Sequence, residues 1–538
     1  MHAAQALESS WCRRDVWGVN AVALSRRSIL RMQVTQAAGG RRALPGVLLC
    51  DVRTAITVKD CRMSAPVSIC WFRQDLRLAD NPALVAAAAH GRIVPVFILD
   101  DESAGADRMG AASRWWLHHS LVALNAALGG KLYVAAGDAR EILPALAAQT
   151  GADAVFWNRA YEPWRIARDT DVKARLSAAG VTAASSNGAL LWEPWDVQKG
   201  DGTPYKVFTP FYRRGCMAAP PPREPLSRPM LDPAQDIVAG PASDIDDLNL
   251  LTDEGWADML APHWQVGEAG AMTRLRDFIA DGLVGYKDGR NLPARPHVSR
   301  LSPHLHWGEL SVNQAWYAVR AASDVPADDV DNFCAELGWR EFSHSLLYFN
   351  PDLKRRNLQT KFDAFDWHED DHLLRAWQSG LTGVPFVDAA MRELWQTGYM
   401  HNRMRMVTGS FLVKNLRLHW HHGEAWFWDC LVDADHASNS ASWQWIAGCG
   451  ADAAPYFRVF NPVTQGEKFD KDGAYTRRFI PELAQLPDKY LFAPWTAPQA
   501  VLDGAGVRLG ETYPRPVVDL KQSREAALAA FARLRDAS

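Results

Sequence analysis

The chain has 538 residues, 48% of them hydrophobic and 22% charged, with a formal net charge of −4. These values are those of an average soluble globular protein and exclude a collagen, a disordered tail protein and a small disulfide scaffold. The length suits three or four domains at roughly 150 residues each, and no window approaches the roughly 18 uninterrupted apolar residues of a membrane-spanning helix. Along the chain, residues 1–62 are rich in Arg and poor in acids and show no helix or strand period. Their composition is that of a transit peptide without the amphipathic stripe, and we read them as a non-native or disordered extension with Met63 as the working start. From there the pattern is regular. Strands are expected at Val67 to Phe72, Ile93 to Leu99, Lys131 to Ala135 and Ala154 to Trp157, alternating with helices at Asn81 to Ala89, Ala112 to Leu128, Ala139 to Ala148 and Ile166 to Ala179. Such alternation predicts βαβ units and a parallel, Rossmann-like sheet, an α/β domain over 64–187. Residues 188–265 are punctuated by Pro and Gly, including Pro220-Pro221-Pro222, and read as a connector on the surface. Residues 266–538 read as a larger all-α domain. One of its helices starts with Pro385, carries Phe386, Val387, Ala390, Met391 and Leu394 on one face and closes at Gly398. A last helix is expected over Arg524 to Arg535.

The charge is unevenly divided. Residues 1–62 hold ten basic and four acidic side chains, leaving 48 basic and 58 acidic ones, a charge of −10, in the rest. A polyanion could therefore be bound only through a local basic patch. The eight cysteines (Cys12, Cys50, Cys61, Cys70, Cys216, Cys334, Cys430 and Cys449) form no CxxC pair, which argues against zinc and disulfides and for a reducing compartment.

Several tempting motifs fail on context. Gly448-Cys449-Gly450-Ala451-Asp452-Ala453 fits GxGxxA, but it follows Trp443-Gln444-Trp445 in a helical region, whereas the dinucleotide fingerprint needs a preceding strand. The pair His304 and His306 and the cluster His419, His421 and His422 lack the acid or Cys partners of a zinc site and read as surface or capping residues, so no metal is expected. Neither GxSxG nor GKS/GKT occurs. What remains is a region of aromatic, Arg and Asn residues between Tyr286 and Phe469: YKDGRNLP (286–293), SRLSPHLHWGELS (299–311), ELGWREF (336–342), MHNRMRMVTGSFLVKNL (400–416), DADHASNSASWQW (433–445) and YFRVFNPVTQGEKFD (456–470). Bases need flat apolar surfaces and phosphates need charge, so this interleaving suits a nucleic acid strand, at roughly 1–3 kcal/mol per stacked base. Composition alone fits helix-on-helix packing of Trp and Arg equally well.

With WFRQDLRLADNPAL at 71–84, these segments resemble the DNA photolyase and cryptochrome family, most closely class I cyclobutane pyrimidine dimer photolyases of microbes, from about Val67 to near the C-terminus. The resemblance implies an N-terminal antenna domain, a helical domain holding a U-shaped FAD active as FADH−, and a need for light. By position it makes Tyr286 and Val298, Ser299, Arg300, Leu301 and Ser302 the flavin phosphate cradle, with Val298 where the family often has Thr. Asp433, Ala434 and Asp435 flank the isoalloxazine and ribityl groups, Arg405 pairs with that acid, and Arg340 also belongs to the cofactor set. Asn439 faces flavin N5, where a neutral amide favours the reduced anionic flavin over a repelling carboxylate. Trp443, Trp420 and Trp367 match the three-tryptophan relay that re-reduces the flavin. Glu336, Trp339, Asn402, Met406 and Trp445 match the lesion pocket, and Arg290, Arg340, Arg403 and Arg458 match phosphate contacts at its mouth.

The resemblance therefore implies a deoxyribodipyrimidine photo-lyase acting on DNA containing pyrimidine dimers, a bacterial cytoplasmic, nucleoid-associated monomer with no membrane. A (6-4) photolyase would carry His at Asn402 and Met406. The alternative of a blue-light receptor cryptochrome without repair activity often carries a long tail after the helical domain, and this chain stops soon after its last helix. For the antenna chromophore, Trp164-Arg165 replaces an Asn-Glu pair and Leu353 a cysteine of folate-binding relatives, whereas Lys354 matches a folate-contacting lysine. Methenyltetrahydrofolate, 8-hydroxy-deazaflavin and an empty pocket all stay open.

Overall fold

The computed structural model describes residues 65–233, 244–251, 255–453 and 457–536. The extension read over 1–62 lies outside the described residues. Five parallel strands, β1 (Val67–Phe72), β2 (Arg92–Leu99), β3 (Tyr133–Ala136), β4 (Ala154–Asn158) and β5 (Thr182–Ser186), form one sheet in the order β3-β2-β1-β4-β5. The crossovers are α1 (Pro82–His90), α2 (Ala111–Ala127), α3 (Ala139–Thr150) and α4 (Pro163–Ala178). Every residue of β1 is buried, and its side chains alternate between two cores as a pleated strand requires. Val67, Ile69 and Trp71 join Leu143, Val172 and Leu176 on one face. Cys70 and Phe72 join Trp116 and Leu121 on the other, where the core runs on into Trp264, Trp307, Tyr399 and Val432 from beyond the sheet.

The predicted elements fall within a few residues of the observed ones, with β5 as the omission. Its sequence TAASS has no large apolar group. It forms because β4 presents an open edge, and pairing such as Val155↔Ala183 outranks a low strand propensity. The stretch 188–265 also departs from a surface connector: Leu191, Trp192, Phe208, Phe211, Tyr212 and Cys216 are buried in one core with Phe333, Leu337 and Phe342. Pro and Gly break the period there, but the aromatic content still drives burial.

The motif after β1 is largely structural. Arg77, almost fully buried, donates to the carbonyls of Gly308 and Gly188, both at 2.8 Å, and to that of Asp80 at 2.7 Å. Asp80 accepts from Leu226 N at 2.7 Å and pairs with Arg223 and Ser311. The loop thus ties the sheet to the helical part by hydrogen bonds at its C-terminal edge.

The helical part includes α5 (Glu268–Asp277), α6 (Val312–Arg320), α7 (Ala327–Phe349), α8 (Pro385–Thr397), α9 (Asn402–Ser410), α10 (Trp420–Cys430), α11 (His436–Ala447) and α12 (Leu520–Asp536). α8 follows the predicted face, with Pro385 in its first turn and Gly398 ending it at φ +65, a left-handed value that favours Gly. In α7, Glu341 accepts the backbone N–H groups of Leu191 at 2.9 Å and Trp192 at 3.2 Å. Burial pushes its carboxyl up to about 7. The folded state therefore keeps a proton that the unfolded chain has already released above the ordinary Glu pKa of about 4.3, so this group's contribution to stability falls as pH rises from there through about 7. Glu341→Gln is expected to flatten the fall in melting temperature across that window, and a pH series of thermal melts checks it.

Candidate functional site

The site is organised around α11. Asp435 caps its start, accepting Ser438 N at 2.7 Å, and faces His306 Nδ1 and His344 Nε2, each at 3.7 Å. Burial pushes the Asp435 carboxyl up, but His344, His306 and Arg340 outweigh it and hold it well below the usual carboxylate range. Asp433 accepts from Ser302 Oγ at 2.6 Å and from Arg405 Nη2 at 2.8 Å, and Ala434 between the two acids is buried. Ser302 opens a five-residue helix, Ser302–His306. Just before it Arg300 takes φ +52, which sends its guanidinium between Trp264 and Tyr399, 4.3 and 4.8 Å from their ring centroids. Leu301 is core, and Val298 and Ser299 are half-buried. Tyr286 is buried against Phe278 and Phe333. Asn439, one turn into α11, donates Nδ2–H to the Glu424 carbonyl at 3.0 Å, which turns its oxygen end away from α10.

These residues fit FAD by the chemistry of their donors. The Arg405 and Arg300 cations and the Ser299 and Ser302 hydroxyls suit a diphosphate, and the Asp433 and Asp435 carboxylates suit ribityl hydroxyls and ring N–H groups. Arg300 Nε and His401 Nε2 are buried without a hydrogen-bond partner in the protein, as expected beside a polar ligand. Sequence reading missed His344 and took His306 for a surface or capping residue. It is instead an Asp435 partner, and its neighbour His304 is buried on Glu309 at 2.5 Å. His419 does cap α10, accepting from His421 N at 3.2 Å.

The residues assigned to the lesion lie on α7, α9 and α11. Glu336 and Trp339 are on α7, Asn402, Arg403 and Met406 on α9, and Trp445 on α11. Trp339 stacks on Phe208 with centroids 3.9 Å apart at 11°, and Trp445 donates Nε1–H to the Asp452 carbonyl at 3.1 Å. Both indoles are half-buried. Glu336 is held by Arg290 at 2.6 Å, and burial raises its carboxyl against that pairing. Arg403 bonds Asn291, lies 4.4 Å over the Phe469 ring and approaches Met406 Sδ at 3.8 Å. Burial lowers its pKa, and so do Arg290 and Arg458, which marks the three guanidiniums as one electropositive rim. Arg340 does not join that rim. It donates to the Ala189 carbonyl at 2.7 Å and lines a cleft with Asp435 and His344. Its guanidinium is held by the Ala189 carbonyl and by Glu341 at 3.3 Å.

Of the three tryptophans expected to form the relay, Trp443 is buried against Phe427, at 5.0 Å between ring centroids. It packs so closely on Gly423 of α10 that a Cβ there would lie 2.1 Å from its Cη2. Trp420, one turn before Gly423, is fully buried and donates to Asn357 Oδ1 at 3.0 Å. His419 lies between Trp420 and the half-buried Trp367, 5.6 and 5.0 Å from their centroids. Burial, His421 and His422 push it down to about 4, so it stands neutral between them at pH 7. Trp377, a residue without a motif, also touches Trp443, at 6.2 Å. Gly423→Ala is expected to displace Trp443 and lower stability by ~1–3 kcal/mol, the range for overpacking a filled core, read by thermal unfolding.

Beside the sheet's C-terminal edge, a cleft is lined by Trp164, Arg165, Arg168, Trp428 and His436. Lys354 is paired with Asp107 at 2.7 Å and lies 5.1 Å over the Trp428 ring.

Known proteins match this arrangement. The family model described as DNA photolyase matches residues 68–229, and that described as the FAD binding domain of DNA photolyase matches 333–533. A deoxyribodipyrimidine photo-lyase of Agrobacterium fabrum is 48% identical over 482 residues, 88% of this chain and 98% of that one. Cryptochrome-1 of Arabidopsis thaliana is 38% identical over 477 residues, 86% of this chain and 69% of that one. The crystal structure of a bacterial class III photolyase from Agrobacterium tumefaciens superposes with a TM-score of 0.85 at 47% identity, covering 89% of this chain and all of that one. The chain belongs to the DNA photolyase family.

Proposed function

We propose that the chain is a light-dependent DNA repair enzyme, a deoxyribodipyrimidine photo-lyase that splits cyclobutane pyrimidine dimers with FAD as its electron source. One observation carries the reading: α11 alone bears Asn439, Trp443 and Trp445, and it starts directly behind the Asp433–Asp435 pair. Cofactor, relay and lesion wall are thus fixed on one rigid element. When bound and reduced, FAD supplies on illumination the electron that opens the cyclobutane ring and then takes it back, with no net redox change.

The chain's own residues set the conditions for this. Ser302, Asp433, Arg405 and Asp435 orient the flavin, and Asn439 offers a neutral amide where a carboxylate would oppose an anionic ring. Trp443, Trp420 and Trp367 carry electrons in from the surface. Trp339 and Trp445 wall the cavity for the flipped dimer, whose damaged bases are cheaper to unstack. Glu336 hydrogen-bonds a thymine edge once Arg290 turns to phosphate, and Met406 and Asn402 complete the pocket.

Arg290, Arg403 and Arg458 supply the local charge that a body of −10 requires. Each Arg→Ala change is expected to weaken DNA binding and flatten the slope of log K against log salt by up to ~0.9 per lost phosphate contact. Titrations at several salt concentrations check this, and unchanged slopes in all three variants would refute the assignment. The antenna cleft holds methenyltetrahydrofolate or 8-hydroxy-deazaflavin if it holds a chromophore, and the absorption spectrum of the purified protein separates the two. We further propose that the enzyme works on the bacterial nucleoid as a monomer, the latter testable by sedimentation.

The deciding experiment compares irradiated DNA incubated with reduced protein in light and in darkness. Recovery of thymine absorbance in light alone supports a photolyase over a signalling cryptochrome.

A further inference from the structure

A second cavity adjoins the lesion pocket, and of its lining only Trp445 and Arg458 have a part in the function above. It measures about 220 Å3 and shares Trp445 as a wall. That is below the roughly 300–1,000 Å3 of drug-sized ligand sites, so it suits a single base rather than a cofactor. Its lining holds three basic side chains, Lys361, Lys414 and Arg458, and no carboxylate; burial and the neighbouring Arg458 lower Lys414 to about 7, so Lys361 and Arg458 carry its lasting charge. Each lies over an aromatic ring: Lys361 5.7 Å from the centroid of Phe362, Lys414 4.6 Å from Phe457 and Arg458 5.1 Å from Phe460. Lys414 is buried and donates to the Arg458 carbonyl at 2.5 Å, which fixes the segment that carries Arg458 and Phe460. Phe362, Phe457 and Phe460 are themselves buried, and the half-buried rings of the lining are Trp445 and Phe531, beside the exposed Lys361 and Arg458; a nucleotide outside a duplex needs such rings for its base and such charges for its phosphate.

We propose that this cavity receives a nucleotide of the undamaged strand, one of the two purines left without partners when the dimer leaves the duplex. The inference rests on the repair reading. Extruding the dimer strips two adjacent purines of their pairs, and the cavity, with room for one base, lies beside the wall against which the dimer itself stacks. Holding one of these purines would offset the unpairing and keep the bubble open while the lesion is bound. Lys361, exposed at the cavity mouth, would meet the phosphate of the opposite strand.

The test is run in the dark on full-length protein with two substrates carrying the same dimer: a duplex with 2-aminopurine opposite it, and the lesion strand alone. The expected result is that the bound probe is shielded from acrylamide quenching. Lys361→Glu should remove that shielding and weaken duplex binding several-fold, while binding of the single strand stays within about twofold of wild type. Equal weakening on both substrates would make Lys361 an ordinary phosphate contact and overturn the proposal, as would a probe that wild type leaves open to acrylamide. Failure of wild type to prefer either lesion substrate over undamaged DNA would instead overturn the repair reading itself.

Discussion

Trp443→Phe is expected to abolish most photoreduction of the oxidised enzyme while leaving repair by chemically pre-reduced enzyme close to wild type. Trp443 is the meeting point of the buried indoles: Gly423 seats it one turn from Trp420, and Trp377 touches it from another side. Removing it interrupts both directions at once, whereas Trp420→Phe leaves the Trp377 contact. A phenyl ring is much harder to oxidise than an indole. At tenfold in rate for each ~1.4 kcal/mol of added barrier, a few kcal/mol lowers photoreduction by roughly two orders of magnitude. The check is flavin absorbance during illumination with an external reductant, run beside a repair assay on dithionite-reduced protein. Loss of both activities would make Trp443 a structural residue.

Trp339→Ala is expected to weaken binding of dimer-containing DNA by roughly 5- to 150-fold, the equivalent of ~1–3 kcal/mol for one stacked base. The indole is half-buried and pre-set by its stacking on Phe208, so little ordering is required when the dimer arrives. Binding of undamaged DNA depends on the Arg290, Arg403 and Arg458 rim and should change little. Competition binding with damaged and undamaged duplexes reads the difference. A uniform loss on both would show that Trp339 holds the fold of the rim rather than the lesion.

Much of the fold is legible in the sequence because its elements obey simple periods. β1 shows as a short apolar run, and α8 as a stripe with Pro385 at one end and Gly398 at the other. β5 is not legible because its stability comes from pairing with β4 rather than from its own side chains. The 188–265 stretch misleads because irregular backbone can still be core when it carries Trp192, Phe208 and Phe211. At the site, the quoted motifs locate the residues but not their partners. That Arg290 holds Glu336, that Arg340 turns to Ala189, and that His306 and His344 face Asp435 are facts of three-dimensional packing between segments far apart in the chain.

The most direct measurement is the number of dimers removed per reduced enzyme under blue light, against an identical dark sample, with flavin spectra taken before and after. The account predicts many turnovers in light, none in darkness and an unchanged flavin spectrum, since the electron returns after each cycle. Dimer loss in darkness, or one dimer removed for each flavin oxidised, would contradict it.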